Sequence, residues 1–521
     1  MLNASLHISP QWSLPTGIAT RSVGSAVGRS VDCSARLRAL LRGSVIAAVT
    51  MLSGCSSLLL TPDTNVSTVS VPIAWSNGTA VSSATSLANW WQSFDDPLIA
   101  VLVKQALLSN SDVRTAQAAL QQSRAVREET AAGLLPSGNA FTSAQRSKSA
   151  GIAPVNAFQA GFDASWEPDI FGGLHAAVAA ANANTGAVAA SLGNIQVSIA
   201  ADVAVAYLEA CAFDRRLAIA RENLASQEET LRIAEWRAQA GLTTSLDIAQ
   251  ARTSAELTRA QIPALESSIA QSRSRLAVLT GATPEAMQSS LHLPAVIPTA
   301  MDNLAYAFPA ETLRQRPDVQ QAEYNVFAAA SQVTQADAAR YPTFNLNGTL
   351  GLSALTLSGL GGSTALATLL LGSISLPLFD GGARVAQVHA KEAALEQARI
   401  AYEAVLLSAL KDVEDALVSL RTSRERLATL RRATDAAQLA SMLARRRYTS
   451  GLIDFQSVLQ TQVTLLQVQD NVAGTQADVG VAYVRLYKAL GGGWQPESTA
   501  QGVSGGHGTT WSPAAPDNRL S

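Results

Sequence analysis

Few side chains in this 521-residue chain are placed for covalent or metal chemistry. His175, His292 and His389 stand alone, without a second ligand at metal-site spacing. Met287, Met301 and Met442 are too scattered to make a thioether site for a soft cation. Neither a metal nor a cofactor is therefore expected. The thiols are Cys33, Cys55 and Cys211, and Cys211, alone in a helix-forming run, reads as a small packing residue. Charge excludes another class. The first 54 residues carry a net +4 from five arginines against Asp32, so the remainder carries −6. That leaves nucleic acid no basic footprint.

Cys55 is the thiol placed for modification. Arg36, Arg38 and Arg42 precede an apolar run that ends in small residues, the pattern of an export signal. Leu52-Ser53-Gly54-Cys55 resembles a bacterial lipobox, which implies that Cys55 is acylated and becomes the mature N-terminus. Ser56 follows where Asp would favour inner-membrane retention, so outer-membrane sorting is expected. The segment before the apolar run is long for a signal, and translation starting near Val31 is expected. With Cys33 removed and Cys55 acylated, no disulfide can form within one mature chain.

The elements around these residues show a duplication. NSDVRTAQAAL at 110–120 overlies RPDVQQAEYNV at 316–326, and Pro136 overlies Pro342, both at an offset of 206. Gly172-Gly173 and Gly381-Gly382 are 209 apart, and Gly241-Leu242 and Gly451-Leu452 are 210 apart. Gly281 and Gly491 close the two halves at the same offset. Each half reads as a helix, two strands ending at Pro168 or Pro377 and a double glycine, a very long helix, and a shorter return helix.

Alternation marks the strands. In AFQAGFDASWE, Phe158, Ala160, Phe162, Ala164 and Trp166 share one face, opposite Gln159, Asp163, Ser165 and Glu167. In FNLNGTLGL, Phe344, Leu346, Leu350 and Leu352 oppose Asn345, Asn347 and Thr349. One greasy and one wet face suit a half-buried sheet or a barrel wall between lipid and water. Residues 140–147 alternate poorly and carry the least strand signal. The run 174–240 lacks Pro and has Gly at 186 and 193, and 383–450 lacks both residue types. Each would reach roughly 100 Å if continuous, too long for a compact domain. No run of about 18 apolar residues follows the signal, so no membrane-spanning helix is expected. Thr244 and Asp454 suit N-caps of the return helices, Thr244 with Asp247 fits a capping box, and Pro263 is expected to kink the first of them. Arg316-Pro317-Asp318 reads as a helix start, and Trp90, Trp91 and Phe94 as a packing cluster.

Four strands with a lipid-facing side cannot end in open edges, because unpaired backbone groups in hydrocarbon cost several kcal/mol each. Bacterial barrels close with at least about eight strands. At least two chains must therefore contribute, and three would give twelve strands. The fold class expected is mainly α with a membrane β part, internally duplicated.

The chain resembles the outer-membrane efflux family of TolC type, in the NodT-like lipoprotein subgroup that serves RND pumps. The likeness rests on WWQSFDDPLIAVLVKQALLSNSDV at 90–113, LRQRPDV at 313–319, PLFDGG at 377–382, RYTSGLIDFQSVLQTQ at 447–462 and YVRLYKALGGGW at 483–494. It implies a homotrimer with a 12-stranded β-barrel and a periplasmic α-barrel of long helical hairpins, partnered by a periplasmic adaptor and an inner-membrane RND pump, without catalysis. It also implies closure at the hairpin tips by Arg447, Tyr448, Asp454, Asp247, Gln460 and Gln250. Gln460 stands where relatives carry Asp, which weakens any acidic lock. Adaptor contact is expected at Gly241, Leu242, Gly451 and Leu452, and strand-to-helix turns at Pro168, Gly172, Gly173, Pro377, Gly381 and Gly382. The expected layout is a signal over 1–54, a linker with an equatorial part over 55–97, repeats over 98–281 and 304–491 joined by 282–303, and a disordered tail over 492–521. A duct for protein secretion and a poreless coiled-coil spacer lipoprotein are the rival readings. The amphipathic strands count against the spacer, and the lipobox with the GGGW ending against secretion.

Overall fold

The computed structural model describes residues 87–151, 153–294, 296–300, 313, 315–363 and 365–494. The expected signal, Cys55 and the stretch beyond Trp494 lie outside them.

Within the described residues both halves share one order of helix, two strands, long helix and return helix, and the first half has a further helix before and after it. The first runs α1 (Pro97–Ser109), α2 (Ser111–Ala132), β1 (Ser137–Ser147), β2 (Val155–Trp166), α3 (Gly173–Gln239), α4 (Ser245–Thr280) and α5 (Pro284–Ser290). The second runs α6 (Pro317–Ala338), β3 (Thr343–Ala354), β4 (Leu366–Ser375), α7 (Ala383–Thr449) and α8 (Phe455–Ala489). Asn110 separates α1 from α2. It ends the first helix, and its side chain accepts from the amides of Asp112 (2.8 Å) and Val113 (3.3 Å) to start the second. Pro317 opens α6 at N1 with Asp318 in the first turn.

The strands form one antiparallel sheet in the order β1-β2-β3-β4, so the two hairpins lie side by side and, among the described residues, the outer edges of β1 and β4 are unpaired. β1, the weakest strand by sequence, pairs along its full length, from Ser137 opposite Ser165 to Ser147 opposite Val155. Its conformation follows from its neighbour more than from its own pattern. Phe162 faces Leu350, which places the greasy rows of the two halves on one side.

Both double glycines perform the turn from strand to helix. Gly172 (φ 75°) and Gly382 (φ 87°) are left-handed N-caps, a conformation L side chains resist. They offer no capping side chain. A nearby carboxylate supplies it: Asp169 accepts from the His175 amide (2.7 Å) and contacts its ring Nδ1 (2.6 Å), and Asp380 accepts from the amides of Gly382 (2.9 Å) and Arg384 (3.2 Å).

The main apolar cluster gathers where α1, α3, α6, α7 and α8 meet. It includes Trp90, Phe94, Ile99, Tyr207, Leu208, Leu406 and Tyr483. Trp90 stacks on Tyr487 at 5.2 Å and meets Trp91 edge-on, which makes the tryptophans packing residues. Asp96 caps α1 through the Leu98 amide and accepts from the Tyr207 hydroxyl (2.6 Å). Gly193 lies under Trp494, which leaves no room for a Cβ, and Gly186 lies likewise under Tyr324. Ordered packing therefore reaches Trp494. Cys211 is buried in this cluster, and desolvation pushes its thiol up to about 12.

One expectation is narrowed and one needs correction. α4 runs from Ser245 to Thr280 with Pro263 inside it, so the proline does not interrupt the helix. Pro263 is exposed, so water can satisfy the carbonyl that loses its donor. α3 does contain an 18-residue window apolar enough to cross a membrane, with a mean hydropathy of 1.5. Much of that value comes from alanine, and 44% of the window is buried inside the chain, so the stretch reads as close helix packing.

Candidate functional site at the helical tips

The far ends of the hairpins are built alike. At the first, the Leu242 amide donates to the Arg237 carbonyl (2.8 Å) and the Gly241 amide to Ala238 (2.9 Å). At the second, Leu452 donates to Arg447 (2.8 Å) and Gly451 to Tyr448 (3.0 Å). Gly241 (φ 71°) and Gly451 (φ 73°) have open space where a Cβ would go, so conformation alone requires glycine there. Leu242 and Leu452 project outward, 67% and 74% exposed.

The return helices start from different caps. Thr244 and Asp247 form a capping box, with Asp247 accepting from the Thr244 amide (3.0 Å) and from the Thr243 hydroxyl. Asp454 accepts from the Ser457 amide at 2.9 Å. The hydroxyls of Thr243 and Ser457 are the main reason each carboxyl sits below the usual carboxylate range. Both carboxylates are thus engaged locally as caps.

Arg237 and Tyr448 make the polar contact across the two tips. Arg237 Nη1 donates to the Tyr448 carbonyl at 2.8 Å, and its guanidinium lies 4.5 Å from the centre of the Tyr448 ring. Tyr448 is buried and leans on Phe455 at 5.3 Å. Around them Ala234, Ala251, Ala444 and Val458 form a small apolar cluster separate from the main one. The Tyr448 hydroxyl is buried and has no hydrogen-bond partner among the described residues. Arg447 is exposed, and among the described residues its side chain meets no hydrogen-bond acceptor or carboxylate. Gln460 is exposed and Gln250 half-buried, and among the described residues neither side chain is hydrogen-bonded. Arg237 lies in the expected tip stretch, Trp236 to Asp247, but the sequence reading does not single it out. The 210-residue offset signals it, because it falls on Arg447.

Above the tips the interior changes character. On α3 no apolar side chain is buried between Ala220 and Ala234; Asn223, Gln227 and Thr230 are buried there instead. At the same height α4 buries Thr258, α7 Ser441 and α8 Gln462. Asn223 donates to Gln469 (2.8 Å), Gln462 donates to Thr230 (2.8 Å), and Arg216 forms a two-pronged pair with Asp470 (2.6 and 3.0 Å). Gln227 is 2% exposed, and among the described residues neither of its amide atoms has a partner. This polar band separates the tip cluster from the main core.

The opposite end of α8 is tied down by Arg316. Its side chain is 9% exposed, and its guanidinium pairs with Asp318 (2.7 Å) and Asp412 (3.4 Å) and donates to the Ala489 carbonyl (2.7 Å). This joins the start of α6 to α7 and the end of α8.

The family model for outer membrane efflux proteins matches residues 102–282 and 308–492. The chain is similar to the pyoverdine export outer membrane protein OpmQ of Pseudomonas aeruginosa, 31% identical over 88% of this chain and 98% of that one. It is similar to the toluene efflux pump outer membrane protein TtgF of Pseudomonas putida, 30% identical over 86% of this chain and 96% of the relative. Among solved structures, the outer-membrane channel OprN superposes with a TM-score of 0.77 at 31% identity, covering 84% of this chain and 98% of that chain.

Proposed function

The chain belongs to the outer membrane efflux protein family, and from that premise we propose that it is the exit duct of a tripartite RND-type pump. It is an outer-membrane protein of the efflux-channel class. In the proposed reading three copies close a 12-stranded barrel, and their helical hairpins continue the bore into the periplasm. Small toxic molecules pass through without catalysis by the duct, driven by the inner-membrane pump.

The observation that carries this reading is the sheet. It has a greasy and a wet face, four strands and two unpaired edges, and in a bilayer such a sheet must be completed by sister subunits. The tips supply the gate. Arg447, exposed and, among the described residues, unpaired, is free to bond a sister subunit, and in the proposed reading Tyr448, Asp247, Asp454, Gln250 and Gln460, at the same ends of the hairpins, complete the closure. The exposed Gly241-Leu242 and Gly451-Leu452 turns receive the adaptor. Cys55 carries the acyl chain that anchors the mature N-terminus in outer-membrane lipid.

Conductance of the purified protein in planar bilayers tests the channel. Small, infrequent openings that become large in Arg447→Ala are expected, and no pores in either protein would sink the reading. Labelled palmitate should enter the wild type and not Cys55→Ser. Protein secretion is the other duct reading. The relatives named for pyoverdine and toluene favour small molecules, and a deletion strain should lose tolerance to drugs or solvents while exporting its proteins normally.

A further inference from the structure

The wet face of the sheet is not uniformly wet. Leu369 continues the row of Asn139, Asp163 and Thr349, and Leu371 continues the row of Ser137, Ser165 and Asn347. Both leucines therefore stand on the polar side, 61% and 51% exposed. Phe141 shares that side two residues along β1 from Asn139, opposite Gly161, which offers it no side chain to pack on. Apart from Val155 at the loop end of β2, the large apolar residues of this face are confined to the two edge strands. The inner strands carry Gln159 and Asn345 there, besides the polar residues already placed in the rows.

Closure of the barrel, on the reading proposed above, joins β4 of one subunit to β1 of the next. Each seam then brings Leu369 and Leu371 beside the strand that carries Phe141, on the bore side. The side matters physically. Apolar contacts on the lipid face gain nothing from the hydrophobic effect, because hydrocarbon surrounds the separated residues too. On the bore side the alternative to contact is water, so the same side chains drive association. We propose that Phe141 of one subunit and Leu369 and Leu371 of the next form an apolar clasp on the bore side of each seam, and that a second copy of this chain is the partner this edge surface fits. A surface built for cargo would have no reason to spare the two inner strands.

Heat dissociation of trimers of the full chain in mild detergent tests the clasp. Leu369→Ser/Leu371→Ser and Phe141→Ser should each lower the dissociation temperature, and the triple variant should fall no further than the worse of the two, because the partners are lost together. Leu370→Ser, on the same strand but the lipid side, should behave as wild type; an equal loss there would mean general weakening of β4 and overturn the clasp. Unchanged stability in all variants overturns it too, as does unchanged stability with altered conductance, which would assign the patch to cargo or water. A wild type that never trimerises would instead sink the duct reading itself. Should the serine variants fail to assemble, Phe141→Cys with Leu369→Cys or with Leu371→Cys gives a second reading. At least one pair should link neighbouring subunits through a short thiol cross-linker, and linkage by neither refutes the clasp.

Discussion

Residues 237 and 447 occupy equivalent places in the two hairpins, one turn before the terminal glycine, and both are arginine. The first is used within the protomer: its guanidinium covers the Tyr448 ring and holds the Tyr448 carbonyl. The second is exposed and, among the described residues, unpaired. Duplication supplied two copies of one side chain, and the copies have parted roles. Arg237 fastens the hairpins of one chain to each other, and in the proposed gate Arg447 is left for a neighbour.

The strongest way to break this comparison is Arg447→Ala. Loss of a charge-assisted hydrogen bond costs about 1.5–3 kcal/mol, so the open population should rise roughly ten- to hundredfold, read as resting conductance in planar bilayers. Arg237→Ala should act within the protomer. About 1.5–3 kcal/mol of local stability should go, seen as faster amide hydrogen exchange in α7 and α8 near Tyr448. If it opened the channel as far as Arg447→Ala, the division of labour would be refuted.

Gln227→Leu sharpens the contrast from above the tips. It removes a buried amide that has no partner, and a buried unsatisfied group costs about 1–3 kcal/mol. Slower exchange in α3 and α8 is expected, and faster exchange would mean that Gln227 bonds across the trimer. Thr244→Ala deletes half of the first capping box and should cost about 1 kcal/mol, measured as fraying of α4 while α8 stays protected. The smallest effect is that of pH. Asp247 and Asp454 are held below the usual carboxylate range by their hydroxyl donors. Their contribution is therefore full above the unfolded value near ~4 and lost as pH falls through the lower folded values. Protection of the return helices should not change between about pH 5 and 8 and should fall in stronger acid.

Much of the architecture was legible because it is repeated. The glycine pairs, the long runs without Pro and the alternation of residues 158–166 and 344–352 each fix local geometry directly. β1 was barely legible, since pairing with β2 imposes its conformation. The polar band was open to view, because Asn223, Gln227, Thr230 and Ala234 have the spacing of a core seam, yet spacing alone does not show that such residues are buried. The pairing of Arg237 with Tyr448 joins residues 211 positions apart on different hairpins, which no local pattern encodes. Pro263 looked like a breaker, and its exposure allows the helix to continue.

α3 and α7 each contain 67 residues, and each starts at a left-handed glycine. Two rods cut to one measure from matched starting points bring their ends out level. Adding one residue to either would push its end out by about 1.5 Å and turn its facing by about 100°, misplacing one arginine against everything it meets. Changes of reach must therefore come as matched edits to both rods and their return limbs, in steps of about seven residues that restore the facing. The duplication is thus a standing constraint on which lengths the molecule can adopt.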